Sequence, residues 1–275
     1  MPLPYPLASA HLGAAADGTA AAILMPDLSA SLIPWDRRDG SAAVIDDEAL
    51  DRVLAAAATI HALPWASLRP SGPGPTWPWC PLPERLQLTS RPAAERYGAG
   101  GLPIGARFIT GWDAFDLRAP RAARDLVDAL ARDVAPLIRA LEGLPSTGLH
   151  GDLKLANVAL LPDGRSAAID WQMVSFAPVA VELGWFLVAN VAQVRAAPDA
   201  TLDRYRHALA AAGGEQAAGD WAAQRDLAVI CGLLLRGWRK GLDAADEVLL
   251  PTGISAEDDL QWWAREAVAA ARRRL

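Results

Sequence analysis

His150-Gly151-Asp152-Leu153-Lys154-Leu155-Ala156-Asn157, taken with Ile169-Asp170-Trp171, decides how this chain is read. Between the two stretches lie Val158-Ala159-Leu160-Leu161, then Pro162-Asp163-Gly164, then Arg165-Ser166-Ala167-Ala168. Two short apolar runs around an Asp-Gly predict a β-hairpin. A two-residue turn at Asp163-Gly164 sets Asn157 opposite Asp170. If Pro162 instead opens a three-residue turn with Gly164 in the left-handed position, the register moves by one and the two become near neighbours. Directly opposed residues hold their Cβ atoms about 4.5–5.5 Å apart, near enough for two side-chain oxygens to share one hard cation. The hairpin is therefore expected to clamp a metal, with its turn far from the chemistry.

The residue types around that clamp are those of phosphoryl transfer. Asp152 is the candidate acceptor for a hydroxyl proton, Lys154 the candidate positive charge beside the moving group, and Asn157 and Asp170 the candidate oxygen ligands for Mg²⁺. Singly, an Asp-x-x-x-x-Asn or a His-Gly-Asp is ordinary loop chemistry; the whole constellation is what carries weight. His150 is expected to pack and hydrogen-bond the loop rather than to move protons. A Lys at the position of Lys154 is otherwise a solvated surface residue.

These stretches resemble the catalytic loop and metal-binding strand of the aminoglycoside phosphotransferase and choline kinase group, small-molecule relatives of protein kinases. That group reads H-G-D-x-x-x-x-N and then I-D-W or I-D-x, and this chain matches at each fixed position. The resemblance implies an α+β, protein-kinase-like fold with a mostly helical C-terminal lobe, complete over residues 30–275, and a small lobe reduced to residues 1–29. It implies ATP and Mg²⁺ as cofactors and transfer of a phosphoryl group to a hydroxyl of a small molecule. It also makes Ala20 to Ser29 the last small-lobe strand running into a hinge. Adenine would meet a carbonyl acceptor at Pro26 and an amide donor at Leu28, with Met25 behind the ring. Proline lacks an N–H but keeps its C=O, so it suits the first role.

The N-terminal side departs from that pattern. The family's small lobe supplies a Gly-rich phosphate loop, a strand Lys and a Glu that orients it. Only 22 residues precede Ile23, and the chain's two lysines are Lys154 and Lys240. The room suffices for one strand, Pro6 to His11, and a turn at Ala16-Asp17-Gly18-Thr19. No G-x-G-x-x-G occurs; Gly98, Gly100 and Gly101 are expected in a loop. Three readings follow: a fragment or mis-started product, a kinase without its lid that works through Lys154, or a binder of nucleotides or small molecules without catalysis. A metal-dependent hydrolase built on His150, Asp152 and Asp170 lacks further ligands.

Composition bounds the class. The chain has 275 residues, 52% of them hydrophobic, and 11 Trp, so it can bury a sizeable core. A net charge of −6 and a pI near 5.2 argue against a nucleic-acid-binding surface and mildly favour a cationic small-molecule partner. Cys80 and Cys231 have no C-x-x-C neighbour, so neither a zinc site nor a disulfide framework is expected. Met1 to Pro6 offers neither a basic region nor an apolar run, and Leu227 to Leu235 is too short to span a bilayer; the expectation is a cytoplasmic protein without membrane contact.

Helical periodicity fills in the rest. Asp46-Asp47-Glu48 open a helix through Leu50, Val53, Leu54, Ala57, Ala58 and Ile60 to His61. Ile60-His61-Ala62 resembles the Leu-His-Ala that ends this helix in the family. Pro64 to Pro83 reads as a connector, with Trp65, Trp77 and Trp79 packing more readily than lining a pocket. Arg121 to Glu142 reads as one helix kinked at Pro136. Val181 to Leu187 begins a buried helix in which Glu182 stands where the family has an Asp that supports the catalytic-loop backbone. Ser255 caps a last helix that ends at Arg272-Arg273-Arg274; its Asp258, Asp259, Trp262 and Trp263 are candidates to meet a substrate cation, against a plainer role in a solvated turn and core.

Overall fold

The computed structural model describes residues 3–17, 20–36, 43–65, 67 and 79–275. Trp77, Gly18 and Thr19 lie outside them. In chain order the elements are β1 (Gly13–Ala16), β2 (Ala21–Leu24), α1 (Asp47–Ala62), α2 (Leu82–Gln87), α3 (Arg91–Ala99), α4 (Pro103–Arg118), α5 (Arg121–Arg132), α6 (Ala135–Glu142) and β3 (Thr147–Leu149). There follow β4 (Val158–Leu160), β5 (Ser166–Ala168), β6 (Ser175–Ala177), α7 (Val179–Ala189), α8 (Pro198–Ala211), α9 (Glu215–Ala218), α10 (Trp221–Ala245) and α11 (Ala256–Arg274).

The helical body is organised around α10, which packs against α7, α11 and α4. Every residue of α7 is buried, as expected of a helix that is apolar on all sides. Glycines let the backbones touch: a Cβ on Gly184 would come within 2.3 Å of the Ala228 carbonyl oxygen, and one on Gly232 within 2.6 Å of the Trp263 ring. Helices α7, α10 and α11 are thus packed through a point where no side chain fits. Helix α1 begins as read, with the Asp46 carboxylate accepting from the Ala49 amide at 2.8 Å, and buries Leu50, Val53, Leu54 and Ile60.

Among the described residues, three antiparallel strand pairs complete the architecture: β1 with β2, β3 with β6, and β4 with β5. The β4–β5 hairpin takes the three-residue turn. The Leu161 amide donates to the Arg165 carbonyl at 2.9 Å, Gly164 lies at φ +86°, and Val158 faces Ala168. The chain flanks this hairpin on both sides. The Ala8 amide donates to the Ser166 carbonyl at 2.8 Å, and the Leu160 amide donates to the Ser31 carbonyl at 2.8 Å.

Four expectations change. The first strand is Gly13–Ala16 and not Pro6 to His11; the latter stretch contributes one parallel bridge, Leu7 with Ser166. Arg121 to Glu142 is two helices, because Asp133 leaves the helical region and its carboxylate accepts from the Ala135 amide at 3.0 Å, which starts α6 with Pro136 in its first turn. Gly98 belongs to α3; only Gly100 and Gly101 follow that helix. In α11, Asp259 is not solvated but buried against Lys240, while Trp263 takes the plainer role in the core; neither presents a face to a cation.

Candidate active site

Residues 150–157 hang between β3 and β4. The β3–β6 register sets Leu149 opposite Ser175 and lays this loop beside the residues that follow Asp170. Gly151 lies at φ +87°, where an L side chain is strained, and a Cβ there would come within 1.8 Å of the Met173 carbonyl oxygen. The glycine of the His-Gly-Asp run is therefore the contact between the two halves of the site.

Glu182, at 1% exposure, ties that loop to the helical body. Its carboxylate accepts from the His150 amide at 3.1 Å, the Gly151 amide at 2.5 Å, and His61 Nε2 at 2.8 Å. His61 Nδ1 in turn lies 2.7 Å from the Tyr205 hydroxyl. Burial pushes the Glu182 carboxyl up, but the His61 hydrogen bond and charge, with His150 and the Gly151 amide, outweigh it and hold the group below the usual glutamate value. The longer side chain thus does what the family's shorter Asp is expected to do, reaching the backbone of the loop.

His150 has the structural role expected of it. Its Nε2 donates to the Ile169 carbonyl at 2.8 Å, Nδ1 accepts from the Asp152 amide at 3.3 Å, and its ring lies 4.5 Å from that of Trp171. Burial holds the imidazole below its ordinary value against the pull of Glu182, so both ring nitrogens are occupied in the neutral form.

Asp152 is buried and held by three donors. Trp185 Nε1 donates to Oδ1 at 3.1 Å; Lys154 Nζ and Asn157 Nδ2 donate to Oδ2 at 2.7 and 3.2 Å. Asn157 Nδ2 also donates to the Asp152 carbonyl at 2.9 Å. Lys154 therefore rests on Asp152. Sequence reasoning missed Trp185, although it lies one helical turn from Glu182 on the same face of α7. Arg85, fully buried, was missed as well: its Nη2 donates to the Gly151 carbonyl at 2.7 Å and its guanidinium lies 4.5 Å from the centre of the Trp185 ring. No spacing in the sequence points to Arg85.

The two candidate metal ligands follow the shifted register. Ile169, not Asp170, is the partner of Asn157, its amide donating to the Asn157 carbonyl at 2.9 Å. Asp170 comes next, at φ 66° and ψ 57°, a left-handed conformation that Asp tolerates better than most residues. Asn157 spends its amide hydrogens on Asp152, which leaves Oδ1 as an uncommitted oxygen. Asp170 is exposed and makes no hydrogen bond or ion pair among the described residues. Two hard oxygen donors suit Mg²⁺. No cluster of three or more His, Cys, Asp or Glu able to hold a metal occurs among the described residues, so a substrate and water must complete any shell.

Two cavities adjoin at Gln172. The larger, about 950 Å³, is lined by Ile23, Met25, Ile60, Trp65, Asp170 and Trp171, among others. The smaller, about 450 Å³, contains Asp152 and Lys154 in its wall, with Tyr97, Phe108, Trp185 and Trp238. Of the three hinge candidates, Met25 lines the larger cavity; Pro26 and Leu28 sit on the linker just beyond it, where the Leu28 carbonyl accepts from the Ser31 and Leu32 amides. Trp65 serves both roles considered for it, since it lines this cavity and packs over Gly148.

The family model described as "Phosphotransferase enzyme family" (APH) matches residues 6–227, a span that holds β1 to α9 and every site residue named above except Trp238. This chain belongs to the phosphotransferase enzyme family. Its fold is accordingly the α+β, kinase-like one with a reduced β lobe. Among solved structures, an aminoglycoside phosphotransferase from Alicyclobacillus acidocaldarius is similar at 16% identity, covering 98% of this chain and 93% of that one, with a TM-score of 0.28. No curated protein matches. No helix among the described residues is long and apolar enough to cross a membrane.

Proposed function

We propose that this phosphotransferase-family chain moves the terminal phosphoryl group of ATP to a hydroxyl group of a small molecule, with Mg²⁺ held by Asn157 and Asp170. The observation that carries the reading is the pair of adjoining cavities, with Asp170 in the wall of one and Asp152 in the wall of the other. The larger and more apolar cavity suits a nucleotide base against Met25, with the backbone of Pro26 and Leu28 at its edge. The smaller cavity suits the acceptor. Bound there, Mg²⁺ would neutralise charge on the phosphate oxygens.

Asp152 accepts the hydroxyl proton in this reading. Trp185 and Asn157 fix the direction of its carboxylate before substrate arrives, so little ordering is left for the reaction itself. Lys154 divides its charge between Asp152 and the incoming phosphoryl group. As it turns toward the phosphoryl, it leaves Asp152 Oδ2 open to the hydroxyl proton.

A second reading, binding without catalysis, has its own support: no Lys or Arg lines the larger cavity among the described residues. Calorimetry with ATP and AMP tests the role of Lys154. ATP binding should require Mg²⁺, and Lys154→Ala should weaken ATP about tenfold or more, the loss of one charge-assisted hydrogen bond, while AMP is unaffected. Tight ATP binding without Mg²⁺, or equal loss for ATP and AMP, sinks that role. Nucleotide binding with no acceptor-dependent release of ADP would favour the second reading.

A further inference from the structure

The smaller cavity carries a charge that the phosphoryl-transfer reading does not use. Arg236 lines it, beyond the C-terminal end of the family match. Its guanidinium lies 4.6 Å from the centre of the Trp185 ring and 5.4 Å from that of Trp238. Arg236 Nε is buried without a hydrogen-bond partner, and no carboxylate among the described residues pairs with the guanidinium. Neighbouring acids are taken: Asp243 pairs with Arg239 at 2.8 Å, and Asp152 is held by Lys154, Asn157 and Trp185.

The backbone is arranged to present this residue. Helix α10 leaves helical geometry at Arg236, with φ −138° and ψ 17°. The Thr89 hydroxyl donates to the Leu235 carbonyl at this break, the kind of side-chain insertion that kinks a helix. Thr89 itself lines the cavity. Burial brings the Arg236 pKa down to about 10, which leaves it charged at neutral pH.

Apart from Gln172 the rest of the wall is apolar and aromatic, with Tyr97, Ile104, Phe108, Met173, Trp185 and Trp238 in it. Asp152 is the one carboxylate in it among the described residues, and it is already neutralised by Lys154. A polycationic acceptor would find one carboxylate here, already paired with Lys154, and would meet two cations. Arg236 is half-buried and stacks on two indoles, yet has no carboxylate partner among the described residues, so an anionic ligand group would gain a charge-assisted hydrogen bond there. Flat aromatic walls favour a ring-bearing body.

We propose that the acceptor cavity takes an alcohol with an apolar, ring-bearing body and one carboxylate, and that Arg236 binds the carboxylate. This rests on the phosphoryl-transfer reading for its hydroxyl, though not for its carboxylate. It reverses the sequence-level expectation of a cationic partner, which came from net charge and not from the wall of the site.

Calorimetry on the full chain without nucleotide tests the recognition. The probes are para-hydroxymethylbenzoate and the longer para-hydroxymethyl-phenylpropanoate, each beside its methyl ester, and kanamycin as a polycation. At least one acid should bind about tenfold or more tighter than its ester. Arg236→Met should erase that preference, and Arg236→Lys should keep part of it. Both variants are compared with the parent chain by melting temperature, so that misfolding is not mistaken for lost recognition. Equal binding of acids and esters, tighter binding of kanamycin, or no binding of any probe overturns the proposal.

ADP release with ATP and Mg²⁺ then separates the two claims. Acids that bind with Arg236-dependent preference but are never phosphorylated would refute the transfer reading and leave the carboxylate recognition standing. Phosphorylation of kanamycin and not of the acids would do the reverse.

Discussion

Asp152→Asn is expected to lower turnover by about 10²–10⁴-fold, the range for loss of a positioned general base, with ATP affinity changed little. The substitution keeps the side chain's shape. It removes the negative charge that Lys154 pairs with and replaces one acceptor by a donor near Asn157 Nδ2. Proton acceptance is felt at the transition state, and so the loss belongs in kcat and not in nucleotide binding. Single-turnover phosphoryl transfer and ATP calorimetry on the same preparation give both numbers. A loss of binding as large as the loss of rate would make Asp152 a structural residue of the loop.

Glu182→Ala should destabilise the fold by about 3–5 kcal/mol, the cost of breaking a buried charged network from one side. Two loop amides and His61 lose their acceptor together. Glu182→Gln keeps an acceptor oxygen and should lose less. Thermal melting separates the two. The parent chain's pH response follows from the same groups. The Glu182 carboxyl is held below its ordinary value of 4.5, so its stabilisation is present above that pH and is lost as pH falls through the lowered folded value. His150 is held below 6.5 and stays neutral in the fold; as pH falls below 6.5 the unfolded chain takes up a proton that the folded one refuses, which also favours unfolding. Melting temperature should therefore decline on acidification, beginning near the ordinary His value and continuing through the ordinary Glu value. In Glu182→Gln the later decline should flatten; an unchanged profile would contradict the assignment.

The central loop and hairpin were legible because their signals are local. Gly164 in the turn, the His-Gly-Asp run and the Asp46 cap each act within a few residues, and one of the two turn geometries allowed by Pro162-Asp163-Gly164 is the one formed. The first strand was misplaced because Pro6 to His11 and Gly13 to Ala16 differ little in apolar pattern; pairing with Ala21 to Leu24 decided between them, and pairing is a tertiary fact. Arg85 and Arg236 were invisible for a related reason. An arginine in a helix reads as a surface residue, and only packing against Trp185 reveals that these two face inward. Asp259 misled in the opposite direction, since an acidic first turn looks solvated until a buried Lys240 is found beneath it.

The glycine contacts of the helical body set an order of events during synthesis. Glu182 can grip the His150 and Gly151 amides only when α7 is seated, and α7 is seated by Gly184 against α10, whose Gly232 is in turn closed over by Trp263 of α11. A chain made from its N-terminus exposes residues 150–157 on the ribosome well before Trp263 has emerged. The loop must therefore wait, unanchored, for α11 to be made. A ribosome-stalled chain that stops before α11 should carry the whole His150 to Asp170 motif and still leave the loop amides open to rapid hydrogen exchange.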